Sequence, residues 1–261
     1  MTDRAKPAKK AKRRVDQMLV DRGLAESRSQ ARAMLMAGQV FQGEQRIDKA
    51  GTQLPDDARL RVTERARFVS RGGEKLAHAI EVFSREGWVV AGKTCLDVGA
   101  STGGFTDCLL QNGACKVYAV DVGYGQLHAK LRSDPRVVVR ERTNARHLKK
   151  ESFDDLIECA VVDASFIGLG KLAPAIASVL VPGGELVALV KPQFEAGRDA
   201  VSKGRGVIRD DGLRREAIEG ALEGLRHSGF EVIAGVDCRV IGPKGNREFL
   251  AYARLSTLPR A

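Results

Sequence analysis

Beyond about residue 68 the apolar positions of this chain alternate between two spacings. Leu76, Ile80 and Phe83 recur at a helical interval, whereas runs near 94–98, 116–121, 136–140, 158–163 and 185–190 are short and apolar, the signature of buried strands. Helical stretches separate those runs, and this alternation predicts a mostly parallel sheet with helices on both faces, an α/β Rossmann-like architecture. A long helix from Asp211 to about Ser228 leads to Phe230–Ile241. The turn Gly242-Pro243-Lys244-Gly245-Asn246 then enters Arg247-Glu248-Phe249-Leu250-Ala251-Tyr252, predicting a C-terminal antiparallel hairpin at the sheet edge. Ala196 to Gly206 reads as a mobile loop near the site.

The first part of the chain has a different pattern. Val15, Met18 and Leu19 fall at helical spacing until Gly23, and Ser27-Arg28-Ser29-Gln30 has the form of a capping box. The helix it opens carries Ala31, Met34 and Leu35 on its apolar side and ends at Gly38, leaving Arg28 and Arg32 on another face at i, i+4. Short strands around Val40-Phe41 and Arg46-Ile47 flank the turn Gly43-Glu44, and Leu60-Arg61-Val62 reads as a third. A small α+β unit therefore precedes the α/β unit.

Length and charge sharpen this picture. With 261 residues, 43% of them hydrophobic, the chain can hold one full α/β domain and a small one. Its 43 Lys and Arg against 33 Asp and Glu give a net charge of +10, which favours nucleic acid or an acidic membrane surface as partner. Arg4, Lys6, Lys9, Lys10, Lys12, Arg13 and Arg14 crowd the N-terminus against Asp3 alone, as in a solvated basic tail. Cys95, Cys108, Cys115, Cys159 and Cys238 are scattered with no Cys-x-x-Cys pair, and read as reduced thiols of a cytoplasmic protein. His78, His128, His147 and His227 lack metal-ligand spacing, so no metal is expected. No run approaches the ~18 apolar residues of a membrane span, and no apolar stretch follows the basic N-terminus, so neither insertion nor secretion is expected.

Candidate chemistry centres on Asp97-Val98-Gly99-Ala100-Ser101-Thr102-Gly103-Gly104-Phe105, where an apolar strand runs into glycines that open an amphipathic helix. Glycines there let backbone approach a ligand at the carboxyl end of a parallel strand. A second strand ends in Asp121 about twenty residues on, the position from which a ribose diol is held. The spacing Gly-x-x-x-Gly-Gly is not the dinucleotide fingerprint, and no Gly-Lys-Ser/Thr follows to make a phosphate loop. S-adenosylmethionine fits better, because it carries an adenosine and an ammonium but no pyrophosphate, and a carboxylate such as Asp97 suits it. Four charged residues are placed to open onto the same crevice: Lys75 on the first helix, Asp163 and Lys191 at the ends of apolar strands, and Glu248 before the last strand.

Two resemblances follow from these residues. The stretch Arg14-Val15-Asp16-Gln17-Met18-Leu19-Val20 through Gly23-Leu24, Ser27-Arg28-Ser29-Gln30-Ala31-Arg32 and Gly38-Gln39-Val40 resembles the S4-type RNA-binding module. Ser70-Arg71-Gly72-Gly73-Glu74-Lys75, Leu96 to Thr106, Asp163-Ala164-Ser165-Phe166, Val190-Lys191-Pro192-Gln193-Phe194-Glu195 and Gly245-Asn246-Arg247-Glu248 together resemble the TlyA family, rRNA 2'-O-methyltransferases with an S4 module fused to an FtsJ-like domain. The chain departs from the family's commoner Trp-Val linker form at Arg67-Phe68-Val69.

The resemblance implies a basic tail over 1–12, an RNA-binding domain over 13–66, a linker over 67–71 and a methyltransferase domain over 72–256. It implies the catalytic tetrad Lys75, Asp163, Lys191 and Glu248, and S-adenosylmethionine as cofactor. Asp97, Gly99, Ser101, Gly103, Gly104, Phe105 and Asp121 are assigned to that cofactor, with Asn144, after the third strand, beside the adenine. Arg14, Arg28, Arg32 and Arg71 are assigned to RNA phosphates, and Ser165 and Phe166 to the target-nucleotide pocket. The implied reaction is 2'-O-methylation of a cytidine in ribosomal RNA of the large subunit, with the small subunit left open as a second substrate, by a monomer in the cytoplasm with no stable membrane association.

Chemistry makes sense of a lysine-rich site. A 2'-hydroxyl must lose its proton as the methyl arrives, and Lys191 is the expected base. Partial burial and a neighbouring cation at Lys75 favour its neutral amine, while Asp163 pulls the other way and holds it in place. Lys75 and Glu248 are expected to position the ribose. Two other readings stay open: an RNA-binding ribosome assembly factor with an inactive methyltransferase fold, which the intact tetrad argues against, and a membrane-active protein, since relatives carry a haemolysin label.

Overall fold

The computed structural model describes residues 12–36, 38–43, 45–63, 67–196, 207–242 and 245–257. The basic residues before Lys12, the loop residues 197–206 and the turn residues Pro243 and Lys244 lie outside them. The chain divides into two compact units, Met1–Ala66 and Arg67–Ala261.

In the small unit, β1 (Lys12–Arg14), α1 (Val15–Asp21), α2 (Arg28–Met36), β2 (Val40–Gln42), β3 (Gln45–Ile47), β4 (Gln53–Pro55) and β5 (Leu60–Val62) follow in order. Strand β1 pairs with β4, and β2 lies between β3 and β5. Val15, Met18, Leu19, Ala31, Leu35 and Val40 are fully buried in its core. The capping box forms in half. Ser27 Oγ accepts from Gln30 N at 3.1 Å, but Gln30 Oε1 accepts from Glu26 N rather than closing on Ser27. Gly38 ends the helix at φ +69°, a conformation that favours glycine.

The large unit contains α3 (Gly72–Phe83), β6 (Thr94–Val98), α4 (Gly104–Gln111), β7 (Lys116–Val120), α5 (Ala129–Arg132), β8 (Val137–Arg140), β9 (Ile157–Val162), α6 (Ala173–Val179), β10 (Leu180–Val190), α7 (Pro192–Glu195), α8 (Asp211–His227), β11 (Phe230–Asp237) and β12 (Phe249–Leu255). Among the described residues these build one sheet in the order β11-β12-β10-β9-β6-β7-β8. The pairs β10/β9, β9/β6, β6/β7 and β7/β8 are parallel, and β12 is antiparallel to both its neighbours. Both faces are covered, as the apolar strand runs require. Leu96 and Val98 pack with α6 and α8 residues such as Ile176 and Leu225, while Cys95 faces the side of Leu76 and Leu109 from α3 and α4.

The C-terminal pair forms the antiparallel edge that the sequence predicts: β11 is outermost, and next inside it, against β10, lies β12. The reason lies in its side chains, since Leu250, Ala251, Tyr252 and Ala253 are all fully buried and need cover on both faces. This placement matters for the site. Because β12 runs antiparallel, its entrance at Glu248 lies at the sheet edge where β9 and β10 exit at Asp163 and Lys191.

The stretch 67–71 is fixed to this unit. Asp107 Oδ2 accepts from Val69 N at 2.9 Å, and Gln111 Nε2 donates to the Arg67 carbonyl at 3.0 Å. Phe68 is buried against Gly73, where a Cβ would come within 2.2 Å of its ring. No helix among the described residues is long and apolar enough to cross a membrane.

Candidate active site

Glycine geometry shapes the crevice. Gly99 follows β6 at φ +86°, and a Cβ there would lie 2.9 Å from the Asp163 carbonyl oxygen and 3.1 Å from Ala164 Cα. The loop can cross the end of β9 this closely only without a side chain. Gly104 opens α4 equally close to α3, with a built Cβ 2.3 Å from Ser70 Oγ and 2.7 Å from Gly73 N. Between these elements lies a cavity of about 500 Å³, in the range of small-molecule sites.

Lys75, Asp163, Lys191 and Glu248 all line this cavity. They form two ion pairs. Lys75 Nζ donates to Glu248 Oε2 at 2.6 Å, with side chains 10% and 3% exposed. Lys191 Nζ is 2.6 Å from Asp163 Oδ1, an electrostatic contact whose angle is not that of a hydrogen bond. Its donated hydrogen bonds go to Ser165 Oγ at 2.8 Å and to the Asp163 carbonyl at 3.2 Å. Each lysine thus has its own carboxylate, and Ser165 is a further partner of Lys191.

Of the residues assigned to the cofactor, Gly99, Ser101, Gly104 and Phe105 line the cavity. Gly103 stands beside it at φ +94°, ahead of α4. Asp97 lies beneath, wholly buried, with Oδ2 accepting from Thr106 Oγ1 at 2.6 Å and Oδ1 without a hydrogen-bond partner among the described residues. Burial pushes its carboxyl up to about 7, against the pull of the Thr106 hydroxyl.

Two assigned residues stand apart. Asp121 Oδ2 accepts from Ser101 N at 2.8 Å and its Oδ1 from Gly123 N at 2.7 Å, so the loop closes over it. Ser101, at φ +49°, is further strutted by Oγ donating to Gln126 Oε1 at 3.2 Å. Asp121 therefore lines a separate recess of about 10 Å³, room for a single water. Asn144 lines neither space; its Oδ1 accepts from Arg146 N at 3.1 Å and caps a short turn.

The rim is aromatic and basic. Phe166, at φ +66° and 90% exposed, leans on Phe194 with ring centroids 5.0 Å apart. Arg71 is exposed at the same cavity, and Gln193 beside it has an amide oxygen with no partner among the described residues. Glu195 turns away instead: its Oε1 accepts from Leu169 N at 2.8 Å, and burial raises its carboxyl. Tyr124 and Arg142 went unnoticed in the sequence. Tyr124 is exposed, with the Arg142 guanidinium 4.2 Å from its ring centroid. The signal available was an aromatic residue between two glycines, Gly123-Tyr124-Gly125, one residue beyond Asp121.

In the small unit the arginines assigned to RNA share one carboxylate. Asp16 is fully buried and accepts from Arg14 Nε at 3.0 Å and Arg28 Nη2 at 3.1 Å, with Arg32 Nε at 3.6 Å. These contacts, Arg14 first, hold its carboxyl well below the usual range against the opposing effect of burial. The guanidiniums stay about half exposed, with side-chain exposures of 45%, 48% and 56%.

A glycine loop over a parallel sheet with the β12 insertion defines a class I methyltransferase fold, here preceded by a small α+β unit. Residues 68–255 match the FtsJ-like methyltransferases and residues 13–60 the S4 domain. The chain belongs to the TlyA group of the FtsJ-like methyltransferase family. The 16S/23S rRNA (cytidine-2'-O)-methyltransferase TlyA of Mycobacterium tuberculosis strain H37Rv is 44% identical over 252 residues, covering 94% of this chain and 90% of that one. Hemolysin A of Brachyspira hyodysenteriae is 45% identical over 240 residues, 92% of this chain and 98% of that one. A solved structure from Streptococcus thermophilus, labelled a hemolysin, superposes with a TM-score of 0.72 at 42% identity, covering 96% of this chain and 91% of that one. Fold and family imply S-adenosylmethionine as the methyl donor.

Proposed function

We propose that this chain transfers a methyl group from S-adenosylmethionine to the 2'-hydroxyl of a cytidine in ribosomal RNA, in the large subunit and with the small subunit as a second candidate substrate. One observation carries the reading: two buried lysines, each paired with its own carboxylate, face one cavity beside a glycine loop. The name of the M. tuberculosis relative, with its 16S/23S rRNA and cytidine-2'-O specificity, supports the choice of substrate. Ribosomal subunits as substrate put the enzyme in the cytoplasm.

The residues present suit the cofactor. Side-chain-free backbone at Gly99 and Gly104 gives close approach, and the buried Asp97 carboxyl, whose Oδ1 has no hydrogen-bond partner among the described residues, ionises more readily beside a positive charge. When bound, S-adenosylmethionine supplies an electrophilic methyl group on a sulfonium. Gly99, Ser101 and Phe105 would hold it along the loop, and Asp121, whose carboxylate accepts from the Ser101 amide, would take the ribose hydroxyls.

Lys191 Nζ, as the neutral amine, accepts the proton of the 2'-hydroxyl. Ser165 Oγ and the Asp163 carbonyl aim that nitrogen, and the Asp163 carboxylate stabilises the ammonium formed. Lys75 and Glu248 orient the nucleotide without adding net charge, and much of the acceleration comes from holding the reactants in line. Phe166 and Phe194 offer the target base a stacking surface, while Arg71, Tyr124 and Arg142 face neighbouring RNA.

The test is transfer of labelled methyl to unmodified large and small subunits, with 2'-O-methyl positions mapped. Lys191→Ala is expected to abolish transfer while calorimetry still registers cofactor binding. Retained turnover rejects Lys191 as the base. A wild-type chain that binds cofactor and RNA yet transfers nothing is an assembly factor instead.

A further inference from the structure

The arginines tied to Asp16 are not the freest cations of the small unit. On β2, Val40 is fully buried, so Phe41 next to it points to the opposite, open face of the sheet. Register pairs Phe41 with Arg46 on β3 and with Arg61 on β5, placing the three side chains in one row across the strands. Both arginines are exposed. Neither has an ion-pair partner among the described residues, whereas Arg13, Arg14, Arg28 and Arg32 are held by Asp16, Asp21 or Asp56.

The row also has a defined geometry. The Arg61 guanidinium lies over the Phe41 ring with Cζ 4.9 Å from its centroid. The cation therefore rests over the ring while Arg61 itself stays exposed. Arg46 runs beside Gly38, its Cδ 3.1 Å from where a Cβ on that residue would stand. Across the row Arg46 and Arg61 are two strand spacings apart, roughly 10 Å.

We propose that this row is a second RNA contact, distinct from the Asp16 cluster, that takes an unpaired nucleotide. Its base stacks on the outer plane of Arg61, which Phe41 supports from beneath, and Arg46 neutralises a phosphate of the same strand. Arginine suits both tasks because its planar cation stacks and forks onto phosphate. Charge favours RNA over protein as occupant: two uncompensated cations flank a single aromatic ring, whereas the centre of a protein interface is depleted of charge. The assignment rests on the proposed RNA substrate.

The full-length chain is titrated with large subunits, with protein-free large-subunit RNA and with a single-stranded RNA dodecamer, over a range of salt. Arg61→Ala is expected to weaken binding to the dodecamer about ten-fold, the loss typical of one stacked base. Arg61→Lys keeps the charge and loses the plane, so affinity falls while the salt slope is kept. Arg46→Ala lowers that slope by about 0.7, the value of one phosphate contact on a single strand. Phe41→Leu weakens binding as Arg61→Ala does. Cofactor affinity and thermal midpoint stay at wild-type values in all four variants.

Unchanged RNA affinity in Arg61→Ala and Arg46→Ala overturns the proposal. So does a loss confined to intact subunits, which assigns the row to a ribosomal protein. Methyl transfer by the wild-type chain, measured alongside, keeps the two ideas separate. Transfer with unaffected row variants removes this contact and leaves the reaction standing; no transfer with weakened row variants does the reverse.

Discussion

Glu248→Gln strips Lys75 of its counter-ion inside the protein. The pair is 2.6 Å apart with side chains 10% and 3% exposed, so solvent cannot take over the role of the carboxylate. Removing one partner of a buried pair costs about 3–5 kcal/mol, because the other charge stays behind uncompensated. A ceiling applies, since a lysine can shed its proton at neutral pH for roughly 4–5 kcal/mol. A loss of about 3–4 kcal/mol is therefore expected, which for a unit of this size lowers the thermal midpoint by roughly 10 °C. Lys75→Met with Glu248→Leu removes both charges for similar volume, and such exchanges are neutral within about 1 kcal/mol or stabilising.

The assay is urea unfolding followed on Trp88, the sole tryptophan of the sequence, buried near Phe83 and Tyr252 in the large unit. Methyl transfer is measured in parallel. Glu248→Gln should lose both stability and transfer, and the double variant should regain stability alone. A single variant within about 1 kcal/mol of wild type would refute the buried-charge reasoning, as the usual penalty for an uncompensated charge is several times larger. Wild-type transfer by the double variant would remove the pair from the reaction.

Asp97 gives a pH dependence. Its native carboxyl sits near 7, above the unfolded value, so the folded state binds the proton more tightly; this contribution is whole below about pH 4 and lost as pH rises toward 7. Relative to Asp97→Asn, wild type should lose up to a few kcal/mol over that window by urea midpoints, and a constant difference counts against it. Gln126→Ala removes one strut from Ser101 and should tighten S-adenosylmethionine binding about three- to ten-fold by calorimetry, the worth of one hydrogen bond to be broken on opening; weaker binding would make Gln126 a ligand of the cofactor instead. Asp16→Asn frees the Arg14, Arg28 and Arg32 cluster and should cost the small unit about 1–2 kcal/mol, discounted because the guanidiniums are half exposed. Hydrogen exchange over α1 and α2 reads that loss, which should vanish as pH falls and wild-type Asp16 itself becomes protonated.

What was legible in the sequence is what chain-local geometry determines. Asp163 and Lys191 each end an apolar run, and a charge there has one place to go, the carboxyl edge of a parallel sheet. Glu248 precedes a strand of the C-terminal antiparallel pair, and that pair does form the sheet edge; which of its two members lies inside is set by packing, which puts β12 between β10 and β11. Asp16 was passed over because its environment is made by three arginines from two segments, which meet only after α1 and α2 pack. Asn144, assigned to the adenine from its place after the third strand, has its side chain occupied locally, because a short side chain beside a turn finds its partner two residues away in Arg146 N. Ser101 shows the same limit, since its amide meets Asp121 across the loop.

The pairing of charges in the cavity has a consequence for the rest of the molecule. With both lysines protonated, Lys75 with Glu248 and Lys191 with Asp163 sum to no net charge, so these four groups attract neither phosphate nor cofactor at long range. The excess of 43 basic over 33 acidic residues therefore lies elsewhere, in the basic run from Arg4 to Arg14 and in exposed cations such as Arg71 at the cavity, Arg142 beside Tyr124, and Arg46 and Arg61 on the small sheet. Salt screens such exposed charges strongly and buried pairs far less. In the proposed reaction, capture of RNA and the work at the 2'-hydroxyl would thereby fall to different groups: Lys191 is held by two hydrogen bonds and one carboxylate that are separate from the exposed cations.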